Sequence, residues 1–348
     1  VFGKLAGNLL ASGDEYNVFI GENVADANMT NATNNVGVGY QALSALTQGD
    51  GNVVMGSEAG DVITTGDNNV VIGRNAAGAL SEGDNNVVIG KQALFYATTQ
   101  ADNNIAVGTS AMGGNWAAID VNNCTVVGYS AMSGVLTAAA SGNVAVGYNG
   151  LGSNTSGAAN TGVGFDCGSS NQTGSNNTYV GHQAGKGASG NEANNTGVGM
   201  DALFAITDGD RNTAVGKDAF IALTTGQYNV AIGYDAGTAL VGGTHNVIIG
   251  DSAGIATTTV DKAVIIGQAA GGGVLTADAD GTIAIGVEAG NSLTSGQKNV
   301  ALGYQALTAD TQGDNSVAIG YQSLLAQNGV DGEYSNTAVG THSGKAIT

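Results

Sequence analysis

Short apolar runs close on glycine twenty times along the chain, as in NNVVIG (Asn68 to Gly73), NNVVIG again (Asn85 to Gly90) and NSVAIG (Asn315 to Gly320). Eleven of the nineteen intervals between closing glycines are 17 residues and the others are 18 to 20, so the pattern is a repeat that runs from end to end. A fixed period of this size predicts a stacked array, in which each repeat buries its apolar face only against its neighbours. The residue before the glycine is apolar in all twenty repeats, and the residue three before it is Val, Ile or Thr in all nineteen that are visible. Two residues apart, these positions share one face of a strand, and β-branched residues fit a pleated surface. That face is expected to form the interior of the coil, with Val70, Ile72, Val87 and Ile89 as its typical members.

The residue between them is apolar as well, for example Val71, Val88, Ile248 and Ile265, or small, as at Ala106, Ala284 and Gly37. A strand that is dry on both faces has to be covered on both. These middle residues are therefore expected to face sister copies across a symmetry axis. Four before the glycine stands Asn in fifteen of nineteen repeats, including Asn69 and Asn86, where stacked amides can bond one another along the array. Three after the glycine Ala predominates and space is tight. Then come a second, looser strand with an apolar residue seven after the glycine (Leu46, Ile63, Leu80) and a polar turn. Together Asn69, Val70, Ile72 and Gly73, with Asn86, Val87, Ile89 and Gly90, define the structural repeat.

Composition narrows the picture without changing it. There are 59 glycines and no proline, which excludes collagen. Hydrophobic residues make up 42% of the chain with only 5% aromatic, enough for thin layers of small side chains. One array spanning 1–348 is expected rather than several globular domains, and Val1-Phe2-Gly3 opens inside a repeat, as a segment of a longer chain would. The net charge of -19 argues against nucleic acid as a partner, and no apolar run reaches the length of a membrane span. Cys124 and Cys167 fall two rungs apart, about 10 Å at the usual strand spacing, too far for a disulfide. Both are expected to be free.

The motifs NSVAIG (Asn315 to Gly320), NNVVIG (Asn85 to Gly90), YNVAIG (Tyr228 to Gly233) and GNVAVG (Gly142 to Gly147) resemble the head repeat of trimeric autotransporter adhesins, the YadA-like left-handed parallel β-roll. The longer period and the flanking YQAL (Tyr40 to Leu43, Tyr304 to Leu307) resemble YadA-like repeats of phage tail fibres. The resemblance implies an all-β, left-handed parallel β-solenoid of about twenty repeats, assembled as a homotrimer. It implies a structural, adhesive fibre segment, extracellular or on a virion, that displays turns many times over to a surface glycan or protein receptor. The head of a bacterial adhesin is the alternative. The chain departs from the adhesin pattern in its period and in lacking neck, stalk and membrane barrel.

Candidate chemistry is sparse. Asp50, Asp67, Asp84 and Asp102 recur six before the glycine on four consecutive rungs, where stacked carboxylates could hold Ca²⁺, although the glycine-aspartate nonapeptide of calcium-binding β-rolls is absent. Solvated turn carboxylates are the simpler reading, and no cofactor is expected. His182, His245 and His342 lie at three different phases of the repeat, and no nucleophile elbow, zincin motif or phosphate loop is present, so no enzyme is expected. A glycan-degrading site built from carboxylates across rungs is the remaining enzymatic alternative. The irregular turns, above all the one carrying Trp116, are the expected places for receptor contact.

Overall fold

The computed structural model describes the chain except residues 1, 8, 97–99, 116–119, 138, 188–189, 329–334 and 348. It forms two compact units, Val1–Asn176 and Asn177–Thr348. Each is a parallel β-solenoid with one three-residue strand per turn. Among the described residues unit 1 holds nine strands, from Val18–Ile20 to Thr161–Val163, and unit 2 holds ten, from Thr178–Val180 to Thr337–Val339. Successive strands pair parallel and in register, Val70 with Val87 and Ile72 with Ile89 in unit 1, Val247 with Val264 and Ile249 with Ile266 in unit 2. Among the described residues there is no α-helix. A 3-10 turn, Ala277–Ala279, takes up the extra length of a 19-residue repeat and leaves the flanking strands in register.

The strand ends where it does because of its glycine. Gly73 has φ +135°, a conformation that L side chains rarely adopt, and a Cβ there would lie 2.5 Å from the carbonyl oxygen of Gly90 on the next rung. Backbone thus stacks directly on backbone at this corner, and no side chain fits. The rest of each rung differs from expectation: among the described residues the segment after the glycine is a succession of turns and no second strand forms. Left-handed residues at Asn68 (φ +57°), Asn75 (φ +54°) and Ala77 (φ +52°) fold it back repeatedly. Its backbone groups still pair between rungs, as in Asn75 N–H to Ser57 O (3.0 Å), Ala77 N–H to Ala93 O (2.9 Å) and Thr64 N–H to Ser81 O (2.8 Å). Inter-rung bonding therefore needs stacking, not extended backbone.

The larger correction concerns which strand face is inside. In every strand the middle residue is buried and its neighbours on either side are not. Val71, Val88, Ile248 and Ile265, expected to face sister copies, are 0% exposed in the interior of their own solenoid. Val70, Ile72, Val87 and Ile89, expected inside, form the outer face and are half-buried only by stacking on one another. The reason is the asparagine. Four before the glycine and two before the middle residue, it shares that residue's side of the strand, and its amide must reach carbonyls in the turn across the coil. Asn69 donates from Nδ2 to Gly83 O (2.8 Å) and to Asn52 Oδ1 (3.1 Å), and its own Oδ1 accepts from Asn86 N–H (2.9 Å) and Asn86 Nδ2 (3.0 Å). The ladder runs Asn35, Asn52, Asn69, Asn86 in unit 1 and Asn195, Asn212, Asn229, Asn246 in unit 2, all fully buried or nearly so.

With the faces settled, the small middle residues have a packing role. The core of a rung is the strand's middle side chain, the alanines three and four after the glycine (Ala76, Ala77) and Leu80, all 0% exposed. Where the middle residue is aromatic, the next rung carries glycine at the same position. Phe19 is followed by Gly37, whose added Cβ would sit 3.1 Å from the Phe19 ring, and Tyr179 by Gly197, at 3.2 Å from the Tyr179 ring. Around Tyr179 the space comes from its own rung as well, since an added Cβ at Gly185 would lie 2.4 Å from the ring.

Replacing Asn69 by Ala should cost about 2–4 kcal/mol, since it strands the Gly83 carbonyl and the Asn86 amide in the core. Gly73→Ala should cost at least about 3 kcal/mol through strain and inter-rung clash. Thermal and denaturant unfolding of the two variants checks both. Wild-type stability in Gly73→Ala would contradict the backbone contact at this corner.

Candidate functional site

Chemistry in this molecule has to be sought on the outside of the strands, at the corners and at the few irregular places in the core. The outer strand face carries two apolar residues on most rungs of each unit, with Thr in place of one of them at Thr125 and Thr161 in unit 1 and at Thr178, Thr196, Thr213 and Thr337 in unit 2. Met55 is 48% exposed, Ile105 and Ile232 40% and Leu302 41%, although each is stacked between neighbours. Nine rungs at about 4.8 Å make a stripe about 40 Å long and two side chains wide in unit 1, with a similar one in unit 2. Soluble monomers seldom leave so continuous an apolar surface in water.

Aromatic residues widen it. Just past the closing glycine, Tyr129 stacks on Tyr148 (centroids 5.5 Å, 8° between planes) and Tyr148 on Phe165 (4.9 Å, 9°). Tyr304 and Tyr321 repeat the arrangement in unit 2 (5.5 Å, 10°). Offset stacking of this kind adds to the burial each ring gains from its neighbour. The rings nevertheless stay between 44% and 55% exposed.

The aspartates six before the glycine serve the backbone. Asp50 accepts Thr33 N–H (2.6 Å), Asp67 accepts Asp50 N–H (2.7 Å), Asp84 accepts Asp67 N–H (2.7 Å) and Asp102 accepts Asp84 N–H (2.8 Å), each through Oδ1. Every carboxylate thereby ties its own corner to the rung before it, which explains its recurrence without an ion. No group of three or more His, Cys, Asp or Glu side chains arranged to hold a metal occurs among the described residues. His245 stacks on Tyr228, and His342 lies 3.2 Å from Gln322 Oε1. Cys124 and Cys167 are buried and free, as their phases in the repeat predict. Burial pushes both thiols up, Cys167 to about 11, which keeps them protonated and unreactive at neutral pH. Trp116 lies outside the described residues. Of the other irregular turns, Val135 is 57% exposed beside a buried Leu136. Among the described residues no helix is long and apolar enough to cross a membrane.

Among the described residues two acidic side chains, Glu192 and Asp310, are buried in a core that is otherwise apolar, amide or hydroxyl. Glu192 occupies the column held elsewhere by Gly66, Gly83 and Ala101. It is 0% exposed, and neither of its carboxyl oxygens finds a hydrogen-bond partner among the described residues. Burial pushes its carboxyl up to about 8, with Asp208 and Asp210 adding to the shift. The hydroxyl of Tyr179 is buried in the same way, and desolvation, with Glu192 next, raises it well above the ordinary tyrosine range. The contrast is Asp310, also fully buried, which accepts from Gly313 N–H (2.9 Å) and Gln327 Nε2 (2.7 Å). Glu192 was not singled out by sequence reasoning. Its signal was a charged residue in the middle of the array, in a column that holds small or apolar residues except at Asp14 and Glu333 near the two ends of the sequence.

No family model and no curated protein matches the chain.

Glu192 sets a pH dependence of unusual sign. Its native form keeps its proton up to about 8 while the unfolded form releases it near the ordinary glutamate range, so the unfolded state binds fewer protons in between. Stability should therefore fall as pH rises from about 4.5 to about 8, by about 1 kcal/mol per pH unit, and level off above that. Unfolding midpoints of the wild type and Glu192→Gln at pH 5 and pH 8 check this. The Gln variant should lose the Glu192 part of the slope, and equal slopes would show that Glu192 is ionised in the fold.

Proposed function

We propose that the chain is a segment of a structural and adhesive fibre, assembled as a homotrimer and displayed outside the cell or on a virion as a tail fibre, where it holds turns out to a surface glycan or protein receptor. The observation that carries this reading is the uncovered, largely apolar stripe on the outer strand face of both units, which always holds an apolar residue before the closing glycine and on most rungs a second one, Thr standing in its place on the others. A face of that kind is hidden by another molecule in most soluble proteins, and a stripe built from one repeated motif is complementary to its own symmetry copies. The covering residues are Val70, Ile72, Val87 and Ile89 and their equivalents, not the middle residues Val71, Val88, Ile248 and Ile265.

The resemblance of the repeat to YadA-like heads and tail-fibre segments supports three as the number of copies. A stacked array also suits the task. It presents the same corner at a fixed spacing, and three parallel copies on one shaft raise the effective concentration for each further contact, so weak individual affinities add up to attachment. The absence of a motif for covalent chemistry in the sequence and the protonated state of both thiols favour binding over catalysis.

Native mass measurement tests the assembly. The wild type should run as three copies, and Val70→Lys with Val87→Lys, on the outer face, should give a folded single copy. Val71→Lys, in the core, should instead unfold the rung. A wild-type chain that stays single and folded at micromolar concentration would defeat the proposal.

A further inference from the structure

The corner five residues before the closing glycine differs between the two units. In unit 1, after Tyr16, it carries Asn, Gly or a single Ala, as at Asn34, Gly51, Asn68 and Asn85. In unit 2 six consecutive rungs carry Arg211, Tyr228, His245, Lys262, Gly281 and Lys298. The backbone is left-handed at all of them, from φ +53° at Lys298 to +75° at Gly281. Asn and Gly accept that conformation readily, whereas long and aromatic side chains do so at a cost. The array thus gives up its easiest residue here on five rungs of six.

These side chains are also organised. Arg211 Nη1 donates to the hydroxyl of Tyr228 (2.7 Å), and its guanidinium lies 5.1 Å from the centre of that ring. Tyr228 stacks on His245 at 4.8 Å with 14° between planes. The stem of Lys298 runs over the vacant rung, with its Cγ 3.7 Å from where a Gly281 side chain would begin. All five side chains are exposed. Among the described residues none of Arg211, Lys262 or Lys298 forms an ion pair, although the chain has only nine Lys and Arg against 28 Asp and Glu. The carboxylates nearest in sequence are turned to the backbone: Asp261 Oδ1 accepts Thr244 N–H (2.6 Å), and Asp280 Oδ1 accepts Asp261 N–H (2.8 Å).

We infer that the Arg211–Tyr228–His245–Lys262–Lys298 corner is a binding strip for an acidic polysaccharide that runs along the solenoid. This deepens, and rests on, the reading of the chain as an adhesive fibre. Stacked rings offer a surface for the C–H faces of sugar rings, while guanidinium and ammonium groups that form no ion pair take carboxylate or phosphate. A new side chain arrives every rung, about 4.8 Å on, so a linear chain lying along the strip meets several contacts in succession. The flanking aspartates and the net charge of -19 oppose a dense polyanion. They tolerate a chain whose charges are spaced between neutral faces, and this favours glycan over nucleic acid.

The test uses the intact protein with four probes: an oligogalacturonate, a glycerol-phosphate polymer, a neutral cello-oligosaccharide and oligothymidylate. Calorimetry on the wild type should show salt-sensitive binding of one or both acidic glycans, and their relative affinity tells whether carboxylate or phosphate is the preferred group. A variant with Arg211→Asn, Tyr228→Asn, His245→Asn and Lys262→Asn restores the residue that this corner carries elsewhere and should fold. Its affinity should fall at least 10-fold, with the oligomer mass unchanged. Should that variant misfold, Arg211→Gln with Lys262→Gln serves instead. Equal binding of the neutral probe, tighter binding of oligothymidylate, no acidic glycan bound, or an undiminished variant would each overturn the strip. A trimer that attaches to cells but shows any of those results loses the strip alone. A single-copy protein that binds acidic glycan through this corner loses the fibre reading alone.

Discussion

Backbone on backbone at the glycine corner is the constraint from which the rest of the structure follows. At Gly73 the next rung's carbonyl occupies the place of a side chain, and the same contact recurs at Gly56, Gly90, Gly250 and Gly303. Rungs that approach so closely can do so only in register, because any slip would set a Cβ against a carbonyl. The repeat length can therefore vary only where the chain is free of this contact. Extra residues collect in the turns, as at Ala277–Ala279, and the strands on either side remain aligned.

The asparagine ladder supplies the second half of the specification. Close stacking leaves a polar group to be satisfied at the same interior place on every rung, and a primary amide satisfies it with bonds both within the rung and between rungs. Cys124 shows what happens when the amide is lost. Its backbone still donates to Asn104 Oδ1, but its side chain reaches Ala140 O only through a sulfur contact of 3.5 Å. The ladder is weaker there, in the same region where the repeats lengthen to 19 and 20 residues. Glu192 is the opposite departure, a buried acid with no partner among the described residues, where the neighbouring rungs of its column carry glycine, as at Gly174 and Gly209. It persists because the neutral carboxyl costs far less to bury than the ion.

A scaffold this regular separates stability from function. The interior residues and the glycine are dictated rung by rung, and the corners are free to vary as long as they tolerate left-handed backbone. Deviation at a corner therefore carries information that deviation in the core does not. The change from asparagine to arginine, tyrosine, histidine and lysine in unit 2 is read in this way. The outer apolar stripe is different again: it is as regular as the core, and surface that regular suits a partner of the same repeat.

The array, its period, the tight alanine after the glycine and the free cysteines were all legible in the chain, because each follows from spacing, and the parallel pairing of the strands was implied by the resemblance to YadA-like repeats. The side-chain alternation was legible too, but its phase was not. Residues such as Val70, Val71 and Ile72 are apolar on both faces, so hydrophobicity alone could not say which face closed on itself. The clue was the neighbouring Asn69, which shares a side with Val71. Its meaning depends on carbonyls, such as that of Gly83, fourteen residues further along. The second strand was misjudged for a related reason, since turns and strands can both bond between stacked rungs once stacking exists. By itself the sequence determined that identical units would stack, because a period is a local property of the chain. Only the tertiary structure decided which surface is inside, because that depends on where a buried amide finds its acceptors across the coil.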